Sequence, residues 1–245
     1  MLQRKPTRIE LKPEDKEEYD AIKREQQQAA LQAAAQRQDK QPLSPLFTVE
    51  VKLRLAGAEA HAKLAKALQA SYRITHEQEN FFFDGSKQEL SSQRVVLRVR
   101  FYGIDKKAVI TLKGRQVLKD GIGRAPEEEE GVDPLQARVF LTDPSRLLHL
   151  DIPLMAKLRE SYPSMEGLVS LGGFKNTRQE FDWQEHLLEL DETKYEWGTL
   201  YELECETTEP EKLRQELEAF LGEQGVAYKY STTTKFANFR NRTLE

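Results

Sequence analysis

The segment Phe47–Leu55, FTVEVKLRL, alternates without a break between apolar and polar residues. Side chains of a strand point to opposite faces with period two. Phe47, Val49, Val51, Leu53 and Leu55 therefore share one face, and Thr48, Glu50, Lys52 and Arg54 share the other. The polar face is charged, and the pattern recurs. Arg94, Arg98 and Arg100 align against Val95, Leu97, Val99 and Phe101. Thr111, Lys113 and Arg115 form another such face, Glu189 aligns with Asp191, and Glu202, Glu204 and Glu206 align with one another. Some strands offer only cations and others only anions. That segregation predicts two ligands of opposite sign, a polyanion and a metal cation.

Composition narrows the partners. The chain has 37 basic and 41 acidic residues, a formal net charge of −4. Bulk attraction to nucleic acid or an anionic membrane is not implied, so anion binding must come from local arrangement. The single cysteine, Cys205, excludes an intramolecular disulfide framework and fits a reducing compartment. No apolar run is long enough for a membrane span. The start of the chain turns acidic at Glu14, Asp15, Glu17 and Glu18, unlike a signal or transit peptide. The expected location is cytoplasmic.

The chain divides into residues 1–45 and 46–245. The first part holds a Gln/Ala tract, Gln26–Gln38, with high helix propensity and few large apolar residues. It reads as a helical or disordered extension, with a protein-binding arm as the alternative. Pro42 and Pro45 separate it from the first strand. Beyond it, a short helix is expected over Gly57–Ala70 and strands end near Phe101 and Arg115. A turn is expected at Gly121–Gly123, and a helix starts at Asp143-Pro144, with a kink near Pro153. Leu171–Phe174 reads as a turn, followed by strands at about 176–183, 187–193 and 200–207. Thr208-Glu-Pro-Glu211 reads as a capping box opening a helix through Leu221.

Amphipathic strands with few long helices predict an antiparallel sheet in an α+β fold. Closing that sheet into a barrel puts the charged faces inside and the apolar faces outside, under the helices. An isolated charge in a dry interior costs on the order of 20 kcal/mol in the ideal limit. A charged lumen must therefore be wet, internally paired and ready for a charged ligand.

These segments resemble the CYTH superfamily of triphosphate tunnel metalloenzymes. The resemblance lies in Val-Glu-Val-Lys on the first strand, Arg98-x-Arg100, Leu-Lys-Gly-Arg around Lys113, Glu204-x-Glu206 and Thr-Lys-Phe at Lys235. Leu-Gly-Gly-Phe, Leu-Asp-Glu-Thr-Lys-Tyr and Tyr-Glu-Leu-Glu-Cys-Glu look most like the plant-type inorganic tripolyphosphatases. The resemblance implies an eight-stranded antiparallel β-barrel tunnel with peripheral helices. It also implies Mg²⁺- or Mn²⁺-dependent hydrolysis of inorganic tripolyphosphate. Lys52, Arg54, Arg98, Arg100, Lys113, Arg115, Arg178 and Lys235 then contact phosphate. Glu50, Glu127, Glu129, Asp191, Glu204 and Glu206 serve the metal, and Glu50, Lys52 and Lys235 are catalytic. The chemistry agrees: Arg and Lys suit phosphate oxygens, and hard divalent ions take carboxylates.

Thr48 stands where the family signature has its first glutamate. This leaves open a weakly active polyphosphate- or nucleotide-binding module. An organic triphosphatase or a nucleotide cyclase of the same fold is the other alternative. Blander readings compete at single residues. The run Glu127–Glu130 alone reads as a solvated acidic loop, and Arg178 can pair with a surface carboxylate. Glu202 can be structural at the rim, and Cys205 is a packing residue. His61, His76, His149 and His186 lack metal-ligand spacing, and Phe81–Phe83 reads as core. The tunnel carboxylates repel a nucleic-acid backbone.

Overall fold

The computed structural model describes residues 46–245, with side chains from Val49 onward. The extension expected over residues 1–45, and the side chain of Thr48, lie outside the described residues. The order of elements is β1 (Leu46–Leu55), α1 (Ala58–Ala67), β2 (Tyr72–Gly85), β3 (Val96–Tyr102), β4 (Lys107–Lys113), β5 (Val117–Lys119) and β6 (Ile122–Val132). Then come α2 (Pro134–Thr142), α3 (Pro144–Leu148), α4 (Pro153–Ser161), β7 (Leu168–Trp183), β8 (His186–Tyr195) and β9 (Gly198–Glu206). The chain closes with α5 (Pro210–Glu223), β10 (Tyr228–Tyr230) and α6 (Lys235–Asn241).

The strands are hydrogen-bonded in the order β10-β1-β9-β8-β7-β2-β3-β4-β6-β5, and β1 also pairs with β6. That last pairing joins the two ends of an eight-stranded run, β1-β9-β8-β7-β2-β3-β4-β6, into a closed barrel. Every pairing is antiparallel. Closure removes the exposed sheet edges of the eight strands.

The barrel has its apolar faces outward. On one side Leu97, Val99, Phe101 and Ile110 pack beneath Phe140, Leu147, Met155 and Leu158 of α2–α4. On the other, Val51, Leu53, Leu203 and Cys205 pack beneath Leu64 of α1 and Leu213, Leu217 and Leu221 of α5. Those helices cover the strands' apolar halves, which leaves the charged halves inside. Burying a Leu or Phe side chain stabilises by roughly 1.5–3 kcal/mol, and this outer shell holds a polar tunnel closed. A third cluster lies inside the barrel. Phe82, Phe174, Tyr195 and Leu200 meet Phe236 and Phe239 of α6 there, with ring centroids 4.7 Å apart for Phe82–Phe236.

Several local expectations are corrected. Leu171–Phe174 is not a turn but part of the long strand β7. Gly172 adopts φ +86°, and a Cβ on Gly173 would sit 1.9 Å from the Asn80 carbonyl oxygen. The two glycines allow a bulge and a close strand approach. The helical region after Asp133 is three helices, each with proline in its first turn. The Asp133 carboxylate accepts from Gln136 N at 2.8 Å and caps α2. The capping box at Thr208 does not form, since Glu209 is the N-cap of α5 and makes no side-chain cap. Gly121 lies in the β5–β6 turn with φ +76°, whereas Gly123 is within β6, opposite Glu50. A C-terminal helix, α6, capped by Thr234, was not expected.

Candidate active site

The β1–β9 register sets the first part of the lumen. Glu50, Lys52 and Arg54 face Glu206, Glu204 and Glu202 in turn. Lys52 Nζ lies 2.6 Å from Glu204 and 3.0 Å from Glu50. Burial alone would lower the Lys52 pKa, but the Glu204 and Glu50 carboxylates reverse that and raise it. Arg54 bonds Glu202 at 3.0 Å, and Ser231 donates to the same carboxylate at 3.0 Å.

Arg178 on β7 forks onto Asp191 at 2.8 and 2.6 Å and reaches Glu204 at 2.8 Å and Glu189 as well. Lys235, the first residue of α6, enters the same cluster at 2.9 Å from both Asp191 and Glu202, and it contacts Glu204. Burial works against the charged form of Glu204, yet Lys235, Lys52 and Arg178 hold its carboxyl well below the usual range. Asp191 is depressed in the same way by Arg178 and Lys235. Glu189 goes the other way: burial, aided by Asp191 and Glu204, pushes it up to about 7 despite Arg178.

The opposite wall is built by β3, β4 and β6. The acidic run Glu127–Glu130 is strand, not loop, and alternation splits it. Glu127 and Glu129 face the lumen cations, while Glu128 pairs with Lys157 and Glu130 accepts from Leu154 N at the start of α4. Lys113 lies 2.9 Å from Glu127 and 3.7 Å from Glu50. Arg98 lies 3.6 Å from Glu127 and 3.3 Å from Glu129. Its pKa falls to about 10 through burial and the neighbouring Arg100. Gln116, in the loop after β4, donates to Glu50 at 3.0 Å.

Three residues stand apart from this pairing. Arg100 has no carboxylate partner among the described residues; it donates to Asn80 Oδ1 at 2.7 Å and to the Tyr102 hydroxyl at 3.4 Å. Glu206, exposed at the end of β9, has no ion pair among the described residues, and partial desolvation together with Glu50 and Glu127 raises its pKa. Arg115 corrects the expectation of a lumen face shared with Lys113. Strand β4 ends at Lys113, and Arg115 is exposed in the following loop without an ion pair among the described residues. Gly114 makes that bend against Pro126, where a Cβ would come within 2.6 Å of the proline ring. Arg94 likewise precedes β3, in a left-handed conformation, and is not on its lumen face.

The carboxylates differ in their readiness for a divalent cation. All the oxygens of Asp191 and Glu204 are engaged by Arg178, Lys235, Lys52 or Asn176. Among the described residues no three such side chains converge as a ready metal cluster. Glu50 and Glu206 are the pair that fits, since Glu206 has no ion pair among the described residues and Glu50 has only to give up Lys52 or Gln116. They are direct register partners on adjacent strands, with hard oxygen donors and mutual repulsion that a cation would relieve. Mg²⁺ binds through one or two carboxylates with phosphate and water completing its shell, so a pair is sufficient.

Some lumen residues carry no charge pattern in the sequence. Gln78 and Asn80 of β2, Asn176 of β7 and Thr193 of β8 are buried and lie on the same inner wall. They are neutral, so a search for charged faces passes over them. The alternation His76, Gln78, Asn80 was the available signal. Glu189 and Glu202 belong to the same cluster through Arg178, Arg54 and Lys235.

The comparisons agree with this geometry. Residues 46–237 match the family model of the CYTH domain, and residues 1–45 match that of the anaphase-promoting complex APC subunit CDC26. Among solved structures, the chain is similar to HpAC1 from Hippeastrum, provisionally assigned as an adenylyl cyclase and described as having a dominant triphosphatase activity. The two are 40% identical with a TM-score of 0.78, over 81% of this chain and 97% of that one. A protein of Bacillus halodurans, provisionally assigned as an adenylate cyclase, is 22% identical with a TM-score of 0.61, over 79% of this chain and 98% of that one. PH1819 from Pyrococcus horikoshii is 17% identical with a TM-score of 0.52, over 79% and 99%. The last two likenesses concern the fold alone. No curated protein sequence matches the chain. No helix among the described residues is long and apolar enough to cross a membrane. With a family model spanning the whole barrel and a 40% identical relative of the same closed architecture, the chain belongs to the CYTH domain family.

Proposed function

We propose that the tunnel binds inorganic tripolyphosphate and, with a divalent cation, hydrolyses it to diphosphate and orthophosphate. The observation that carries this reading is the mutual neutralisation of the lumen. Lys52, Lys113, Arg98, Arg178 and Lys235 are each held by carboxylates within 3.7 Å, in a space closed on all sides by strands. Such a site admits a polyanion best when a cation enters with it. Phosphate oxygens then replace carboxylates at the lysines and arginines, and the freed carboxylates meet the cation. Three linked phosphates carry roughly four to five charges near neutral pH, comparable to that set of cations.

Within this reading, Arg98, Arg100 and Arg178 grip phosphoryl oxygens through paired N–H groups, and Lys52, Lys113 and Lys235 act as point charges. Glu50 and Glu206 hold the cation, with Glu127 nearby. Asp191 and Glu204 join only on releasing their lysine and arginine partners. Arg54 pairs with Glu202 through Nη2, and its Nε and Nη1 are buried without an acceptor among the described residues, so it keeps donors for a phosphoryl oxygen. The bound ion would supply charge neutralisation and a water of lowered pKa. The protein's part is to position and to stabilise charge, which is most of what phosphoryl transfer needs. Glu50, held by Lys52, Lys113 and Gln116, is the carboxylate placed to orient that water. The triphosphatase activity described for the 40% identical HpAC1 supports this choice.

A nucleoside triphosphate is the second reading, favoured by the cyclase assignment of the same relative. Residues 1–45 are proposed to engage a protein partner, which their match to an anaphase-promoting complex subunit model supports. Phosphate release from tripolyphosphate and from ATP, with Mg²⁺ and with Mn²⁺, tests the reading. Cyclic nucleotide among the ATP products would favour the cyclase instead.

A further inference from the structure

The wall contributed by β2 carries amides where its neighbours carry charges. Asn80 is 1% exposed and lies in register between Arg100 of β3 and Phe174 of β7. Its Oδ1 accepts from Arg100 Nε at 2.7 Å. A guanidinium can only donate, so this contact fixes which end of the amide faces the arginine. Nδ2 then projects elsewhere with two N–H groups, and it is buried without an acceptor among the described residues.

The neighbouring amide shows that this is not a general feature of the wall. Asn176 Nδ2 donates to Gln78 at 3.1 Å and to Asp191 at 2.9 Å, and its Oδ1 accepts from Thr193 at 2.7 Å. That side chain is fully tied within the protein. Buried donors are normally satisfied, so the Asn80 amide is an exception, which it shares in the lumen with Nε and Nη1 of Arg54 and Nε of Arg98. Arg100 beside it is half-buried and in ion-pair contact with no carboxylate among the described residues, with Glu127 and Glu189 acting on it only from farther away. Two adjacent donor groups thus lack a direct contact with an anion in the same part of the lumen.

We propose that Asn80 is a further ligand-binding residue. Its Nδ2 donates to a phosphoryl oxygen of the triphosphate, while its Oδ1 holds Arg100 toward the same ligand. An amide does both at once. A carboxylate here would neutralise Arg100 and repel phosphate, and an alanine would leave Arg100 unguided. The inference rests on the tripolyphosphate reading and assigns one of its contacts.

A double-mutant cycle separates direct contact from positioning. The affinity of full-length protein for inorganic tripolyphosphate is measured by calorimetry in chelator, where the proposed hydrolysis does not run. The parent, Asn80→Ala, Arg100→Ala and the double variant are compared, each checked for folding by circular dichroism. A direct hydrogen bond to phosphate makes the double variant roughly tenfold weaker than Arg100→Ala alone. Equal affinities of those two variants overturn the inference, because a residue acting only through Arg100 has no effect once Arg100 is gone. Asn80→Ser replaces Asn80→Ala in the cycle if the alanine variant does not fold. A parent that neither binds tripolyphosphate in chelator nor releases phosphate from it with Mg²⁺ or Mn²⁺ overturns the functional reading and this inference with it, an outcome distinct from equal binding by the two variants.

Discussion

Glu50 on β1 and Glu206 on β9 are direct register partners, yet only Glu50 has cations beside it. The two carboxylates repel, and partial desolvation at the exposed end of β9 together with that repulsion raises the Glu206 pKa. This asymmetry leaves Glu206, which has no ion pair among the described residues, open to a divalent ion. Glu206→Gln keeps the shape and removes the charge. The variant should fold with unchanged or slightly higher stability. It should need several-fold more Mg²⁺ or Mn²⁺ for half-maximal tripolyphosphate turnover. A metal titration that overlays the parent's would remove Glu206 from the cation site.

Arg100 and Lys235 are both lumen cations, but their removal should have opposite signatures. Arg100 holds no carboxylate among the described residues, so Arg100→Ala should change urea-unfolding stability little while abolishing the thermal stabilisation by tripolyphosphate. Lys235 is shared by Asp191, Glu202 and Glu204. Lys235→Ala leaves a buried anionic cluster short of a cation, and breaking a buried pair costs about 3–5 kcal/mol. Equal stability losses in the two variants would contradict the pairing described here.

The pH dependence of stability should carry the mark of Glu189. Its folded pKa is raised to about 7 from the model-peptide value of 4.5 by burial and by Asp191 and Glu204. The native state therefore binds the extra proton between those values. The linked contribution is present below pH 4.5 and fades as pH rises through 7. Glu189→Gln should flatten that part of the curve, so that variant and parent differ more at pH 7.5 than at pH 5. Chemical denaturation at both pH values measures it, and parallel curves would exclude a raised Glu189.

Gly173 tests the packing of the inner wall. Its missing Cβ would lie 1.9 Å from the Asn80 carbonyl oxygen and 3.1 Å from Phe81 Cα, both backbone atoms of β2. Gly173→Ala must push β7 from β2 and should cost about 1–3 kcal/mol, the range of an overpacked core. Gly131, which has nothing within 4 Å of its Cβ position, is the control. Gly131→Ala should be close to neutral in the same unfolding assay.

The parts of this fold that were readable share one property, a sign of charge repeated with period two. Glu50, Lys52 and Arg54, and the row Glu202, Glu204 and Glu206, reveal their common face because strand geometry permits no other arrangement. The split of Glu127 and Glu129 from Glu128 and Glu130 follows the same rule once β6 is known to be strand. Arg115 was misplaced because alternation does not say where a strand stops, and the bend at Gly114 depends on Pro126, 12 residues further along the sequence. Leu171–Phe174 resembled a turn because glycine serves both turns and close strand contacts. Only the proximity of β2 tells them apart. Asn80 and Gln78 stayed hidden because a neutral amide gives no signal of sign. The pairing of Lys235 with Glu202, Glu204 and Asp191 joins distant segments and depends on α6 packing over Phe82 and Phe174.

Orthophosphate release from inorganic tripolyphosphate by the purified chain is the most direct measurement of the central claim. Orthophosphate and diphosphate should appear in equal amounts in Mg²⁺ or Mn²⁺. Release should stop in excess EDTA and resume when the ion is restored. No release with either ion, or undiminished release in EDTA, would contradict a cation-assisted triphosphatase tunnel.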